Sequence, residues 1–124
     1  MNTDSMSPAA KELAILEHES SHRLKARDFE WMGENLGSDD TTRYSFPGHE
    51  TLHGMEVIQP FMDKLLEDEN FTWDYTPVHA EVSEDGKLGY VFGTMIEYSS
   101  TAPPRQGKYV TTWKKIDGKW CETN

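Results

Sequence analysis

Gly107-Lys108-Tyr109-Val110-Thr111-Thr112-Trp113-Lys114-Lys115-Ile116-Asp117-Gly118-Lys119-Trp120 reads as a strand, a tight turn and the start of a returning strand. Its first part is rich in β-branched and aromatic residues, and Asp117-Gly118 suits a two-residue hairpin because both residues tolerate positive φ. Working backwards, Ser99 to Gln106 carries Pro103-Pro104 and reads as a loop, and Leu88 to Tyr98 is a further strand. Gly89 and Gly93 inside that strand mark a bulge or a close backbone approach. Glu84-Asp85-Gly86-Lys87 is a hairpin turn. Before it, Val78, Ala80 and Val82 alternate with His79 and Glu81, predicting one buried and one exposed face. Lys108 to Ile116 and Lys119 to Thr123 complete a meander of strands.

The first half of the chain has a helical period. Ser7-Pro8 is a helix start: the serine side chain caps a free amide and proline sits where no amide partner is needed. Leu13, Leu16, Ser20 and Leu24 recur at three- and four-residue spacing. Asp28 caps a shorter helix through Phe29, Met32 and Leu36, with Gly37 as its stop. Thr41 to Phe46 is β-prone and ends at Pro47-Gly48, and Glu50 to His53 returns. Met55, Ile58, Phe61, Met62, Leu65 and Leu66 form a third amphipathic helix, in which Pro60 predicts a kink or a late start. Residues 1–7 are expected to be disordered and 8–124 to form a single domain. Helices followed by a meander predict an α+β domain whose curved sheet wraps a helix.

Composition narrows the function classes. The 124 residues carry a formal charge of −10, which argues against nucleic acid and against an anionic membrane surface. No apolar run approaches the roughly 20 residues of a membrane span, and Met1 to Pro8 lacks the basic and apolar regions of a signal peptide. A cytoplasmic location is therefore expected. Cys121 stands alone, so no intrachain disulfide forms, and a packing role suits it better than a catalytic one.

Several pieces in order carry a resemblance: Arg27-Asp28, Asp39-Asp40, Phe46-Pro47-Gly48, Leu52-His53-Gly54, Gly86-Lys87-Leu88-Gly89-Tyr90 with Gly93, and Gly107 to Trp120. Together they span residues 9 to 123, and the chain resembles the SnoaL-like and ketosteroid-isomerase-like branch of the nuclear transport factor 2 superfamily. The resemblance implies a cystatin-like cone, a strongly bent and mostly antiparallel sheet around the N-terminal helix with two further short helices. It also implies a pocket at the open end and a homodimer through the sheet. This superfold hosts isomerases, dehydratases, cyclases and binding modules alike.

The ketosteroid-isomerase roles are not filled. By the resemblance the proton-moving carboxylate falls on Ser45 and the tyrosine on Ser20, while Lys108 to Ile116 contains no carboxylate. Arg43 shares a strand face with Ser45, and the resemblance points that face into the cone. A buried Arg43 needs Glu97, Asp40 or an anionic ligand as its partner. Trp31, Phe46, Tyr90, Tyr109 and Trp113 either line an apolar pocket or fill core and interface. Tyr109, Thr111, Trp113 and Lys115 share one face of their strand, and which face is concave is left open. His49 and His53 are the weak candidates for a catalytic base or for metal ligands, with two exposed turn histidines as the alternative. His18 and His22 share a helix face, but the polar residues around them, Glu17 included, describe a solvated surface. No metal or other cofactor is expected. The reading is a domain that binds a small apolar or polyketide-like molecule through Ser20, Trp31, Arg43, Ser45, Tyr90, Tyr109 and Trp113. Its alternatives are a cyclase, isomerase or dehydratase, with Tyr90 or Tyr109 as hydrogen-bond donor, and a non-catalytic dimerisation module.

Overall fold

In the computed structural model the described residues are 5–37, 42–46 and 49–123. The expectations that fall on Asp39-Asp40, Thr41 and Pro47-Gly48 lie outside them. Element order is α1 (Pro8–Lys25), α2 (Phe29–Asn35), β1 (Arg43–Tyr44), β2 (Leu52–His53), α3 (Met55–Leu65), β3 (Thr72–Val82), β4 (Leu88–Tyr98), β5 (Arg105–Ile116) and β6 (Lys119–Glu122). This is α+β, with β3-β4-β5-β6 in one antiparallel sheet and β1-β2 as a separate hairpin.

The start of α1 follows its sequence signals. Ser7 accepts a hydrogen bond from the Ala10 amide at 3.2 Å, with Pro8 at the first position. Met6 is buried with the core cluster. Asp28 caps α2 by accepting from the Trp31 amide at 3.1 Å. Pro60 lies within α3, which starts at Met55 and not after the proline. The β5–β6 turn uses positive φ at both Asp117 (51°) and Gly118 (77°), the conformation that matches the strand twist.

α1 lies against one face of the sheet, which we call the inner face. Leu13, Ala14 and Ala10 from the helix close on Ala80, Val91 and Trp113, with Trp120 and Met6 at the margin. Gly89 is required here, because a Cβ on it would come within 2.8 Å of Leu13 Cδ2 and 2.9 Å of the Glu81 carbonyl oxygen. Gly93 answers a different need: a Cβ there would fall 2.2 Å from the Thr76 carbonyl oxygen and 2.8 Å from the Tyr109 ring.

β3 departs from simple alternation. Pro77 pairs with Gly93 and His79 with Phe92, so Val78 is an extra residue, a β-bulge. Pro77 and Ala80 are buried while Val78 is 45% exposed, contrary to the expectation that Val78 shares a buried face with Ala80 and Val82. The bulge shifts the inward positions from odd to even numbers along the strand.

Candidate functional site

α1, β1, β3, β5 and β6 direct a polar and aromatic cluster into the space between helix and sheet. At its centre is Glu17, on the line of α1 that contains Leu13, Ser20 and Leu24, and only 2% exposed. Its Oε2 accepts from Thr111 Oγ1 at 2.5 Å and from Trp113 Nε1 at 3.3 Å. One turn on, Ser20 Oγ donates to the Glu17 carbonyl at 2.7 Å and lies 3.1 Å from the Tyr75 hydroxyl. Glu122 on β6 pairs in register with Trp113 and therefore shares its face. The Tyr44 hydroxyl points at Glu122 Oε2 across a long 3.5 Å.

Tyr75 and Tyr109 meet edge to face with ring centroids 5.5 Å apart. The Tyr109 hydroxyl oxygen is buried without a hydrogen-bond partner. Such a group costs on the order of 1 to 3 kcal/mol unless something pairs with it. Tyr44, Tyr75, Tyr109, Thr111 and Glu122 are half-buried, so the cluster keeps some accessible surface.

Burial pushes the Glu17 carboxyl up to about 7, against the opposing hydrogen bonds from Thr111 and Trp113. Burial likewise raises Glu122 to about 8, with the charge of Glu17 adding to it and the Tyr44 hydroxyl opposing. Protons therefore bind to the pair and belong to both groups. The charge of Glu122, followed by burial, holds the Tyr44 phenol well above its ordinary value. Burial and then the neighbouring carboxyls do the same for Tyr75 and Tyr109. All three phenols stay protonated at neutral pH and serve as donors. Two carboxyls that share protons beside several phenols can donate or withdraw a proton from a bound molecule.

The structure places the sequence-derived site residues in two groups. Ser20, Tyr109 and Trp113 come together in this cluster, and the inner face of β5 is the one with Tyr109, Thr111 and Trp113. Arg43 and Ser45 do not join them, which corrects the expectation that their face enters the cone: both are exposed, and Ser45 Oγ lies 3.0 Å from Thr51 Oγ1. The strand has the opposite phase, and Tyr44 and Phe46 turn inward. Phe46 stacks on Trp73 and Phe61, with centroids at 5.2 Å and 5.5 Å. Glu97 is engaged elsewhere, accepting from Trp73 Nε1 at 2.9 Å and from Arg105.

Trp31 is half-buried under the Arg23 guanidinium, 5.1 Å from its ring centroid, and away from the cluster. Tyr90 is on the outer face, opposite Glu81 and near His79. His49 is exposed with its ring edge toward Phe61, and exposed His53 borders a surface groove beside Gly54 and Met55. His18 and His22 meet edge to face on the exposed side of α1. Among the described residues, no group of three or more His, Cys, Asp or Glu is placed to hold a metal ion. None of their helices is long and apolar enough to cross a membrane. A surface groove of about 410 Å³ lies elsewhere, beside Lys25, Phe71, Thr72 and Tyr98.

Sequence reasoning missed Glu17, Tyr44, Tyr75 and Glu122. Spacing offers a weak signal for two of them: Glu17 is four residues from Leu13, and Glu122 is two from Trp120.

No protein-family model matches this sequence, and neither does any curated protein. Solved structures do. A nuclear transport factor 2-like protein of unknown function from Shewanella oneidensis superposes with a TM-score of 0.70 at 13% identity, over 91% of this chain and 94% of the other. An LEH-like epoxide hydrolase of M. tuberculosis gives 0.62 at 14% identity over 94% and 80%. A candidate polyketide cyclase from Xanthomonas campestris gives 0.64 at 10% identity over 94% and 90%. At such identities the likeness is one of architecture, and this chain has the cone fold of nuclear transport factor 2-like proteins.

Proposed function

We propose that the polar and aromatic cluster between α1 and the inner sheet face binds a small organic molecule, largely apolar with at least one polar group. The observation that carries this is the convergence of Glu17, Glu122, Tyr44, Tyr75 and Tyr109 at one place, with the Tyr109 hydroxyl buried and unpartnered. A cone evolved only for packing gains nothing from two buried carboxyls, since desolvation makes each of them costly. Similarity in fold to an epoxide hydrolase and a candidate polyketide cyclase supports a small-molecule substrate class. Native mass spectrometry of the purified chain tests the reading. A bound small molecule is expected, and Tyr109→Leu is expected to reduce its occupancy. A chain that is always recovered at its bare mass and gives no shift on small-molecule screening defeats the proposal.

The carboxyl pair also favours a second reading, an acid–base enzyme of the cyclase, isomerase or dehydratase type. A carboxyl kept protonated near neutral pH can donate to a developing oxyanion while its ionised partner takes a proton. In this version Glu17 and Glu122 replace His49 and His53 as the acid–base groups. The outer sheet face, where Phe92 and Val110 pair in register and remain exposed, is our proposed homodimer surface.

A further inference from the structure

We infer that the molecule bound at this cluster is an organic cation, a small amine or ammonium compound, recognised by the carboxyls and aromatic rings together. The inference rests on the binding reading above and names its ligand class.

Start with the charges. Glu17 accepts from Trp113 Nε1 at 3.3 Å and Glu122 pairs in register with Trp113, so both carboxyls face one region, and among the described residues no lysine, arginine or histidine forms an ion pair with either. The groups that bond them are neutral: Thr111, Trp113 and Tyr44. Two carboxyls in one low-dielectric space repel, and without a cation the repulsion is relieved by holding a proton. A bound ammonium relieves it in another way: the proton leaves for solvent, the amine keeps its own, and charge is balanced. An anion gains nothing there, because it meets the same repulsion and finds no cation.

The walls have the matching chemistry. Tyr75 and Tyr109 present edge-to-face rings, and Tyr44 flanks Glu122. Aromatic faces attract an ammonium group most strongly where water is displaced. The Tyr109 hydroxyl oxygen, unpartnered in the buried wall, can accept an N–H from such a ligand. At long range the chain's charge of −10 draws cations toward it and repels anions.

The test uses three probes of one shape: benzylamine, benzyl alcohol and benzoate, which at about pH 7.5 are positive, neutral and negative. The full chain is titrated with each by calorimetry in phosphate and in Tris, two buffers of different ionisation enthalpy. Benzylamine is expected to bind at least about tenfold tighter than benzyl alcohol, with benzoate weaker than both. Its apparent enthalpy should differ between buffers in the sense of proton release. Glu122→Gln, which keeps the shape and removes the charge, should narrow the amine-to-alcohol ratio about tenfold. Benzyl alcohol or benzoate binding as tightly as the amine overturns the cation class and leaves the pocket standing. Failure of all three to bind removes the pocket with it. The wild-type comparison decides the matter even if the variant does not fold.

Discussion

Glu17 shows how one residue couples stability to acidity. Its folded-state carboxyl titrates near 7, above the ordinary 4.5, and Glu122 is raised further. Between those limits the folded chain holds more protons than the unfolded one, so stability falls as pH rises through that window. Below about 4.5 the contribution is fully present, and above about 8 it is gone. The whole cost of ionising Glu17 is on the order of 3 kcal/mol. Glu17→Gln is therefore expected to flatten the dependence: urea melts at pH 5.5 and 8.5 should show the wild type losing more stability than the variant. Equal losses in both would show that Glu17 is not the buried acid. From sequence this residue was hidden by its neighbours. Glu17 sits on the same line of the helix as Leu13 and Ser20, yet charged Glu19 and exposed His18 beside it made the segment read as solvated. A lone buried carboxylate breaks the apolar pattern by which buried positions are found.

At the scale of elements, legibility follows how local the signal is. β4 begins and ends where the run Leu88 to Tyr98 does, and α1 starts at its Ser-Pro signal, because turn and cap chemistry is local. Strand phase is not. Tyr44 faces inward and Arg43 outward because Phe46 can stack between Trp73 and Phe61, partners supplied by distant segments. Tyr75 was equally invisible as a site residue, since only the pairing of β3 with α1 through Ser20 gives it a role. The glycines of β4 were legible as close approaches but not in what approaches them. Gly93→Ala is expected to cost roughly 2 to 4 kcal/mol, because the new methyl meets strand backbone and the Tyr109 ring. Gly107→Ala, with open space at its Cβ position, should cost much less. Chemical denaturation of both variants checks the difference, and equal costs would contradict the packing described for Gly93.

For the whole molecule, the proposed binding and homodimer roles fall on opposite faces of the sheet. The inner one carries the acid and aromatic cluster. The outer one leaves Phe92 39% and Val110 55% exposed beside each other in register, which suits a partner of the same kind. Phe92→Asp is expected to move the chain toward monomer in light scattering while leaving its circular dichroism intact; an unchanged mass would remove the outer face from the assembly. Element order made the α+β class readable and the family resemblance implied the cone, whereas the chemistry inside it was not legible, because it is assembled from five elements spread from α1 to β6. Val78 has one more consequence, for comparing this chain with others. It adds an odd step to β3, so Trp73 and Tyr75 count in one parity and Ala80 and Val82 in the other. An alignment that closes up this single position would assign inward-facing roles to outward-facing residues upstream of it. At identities near 14% such a slip goes unnoticed unless the pairing of strands is used to set the frame.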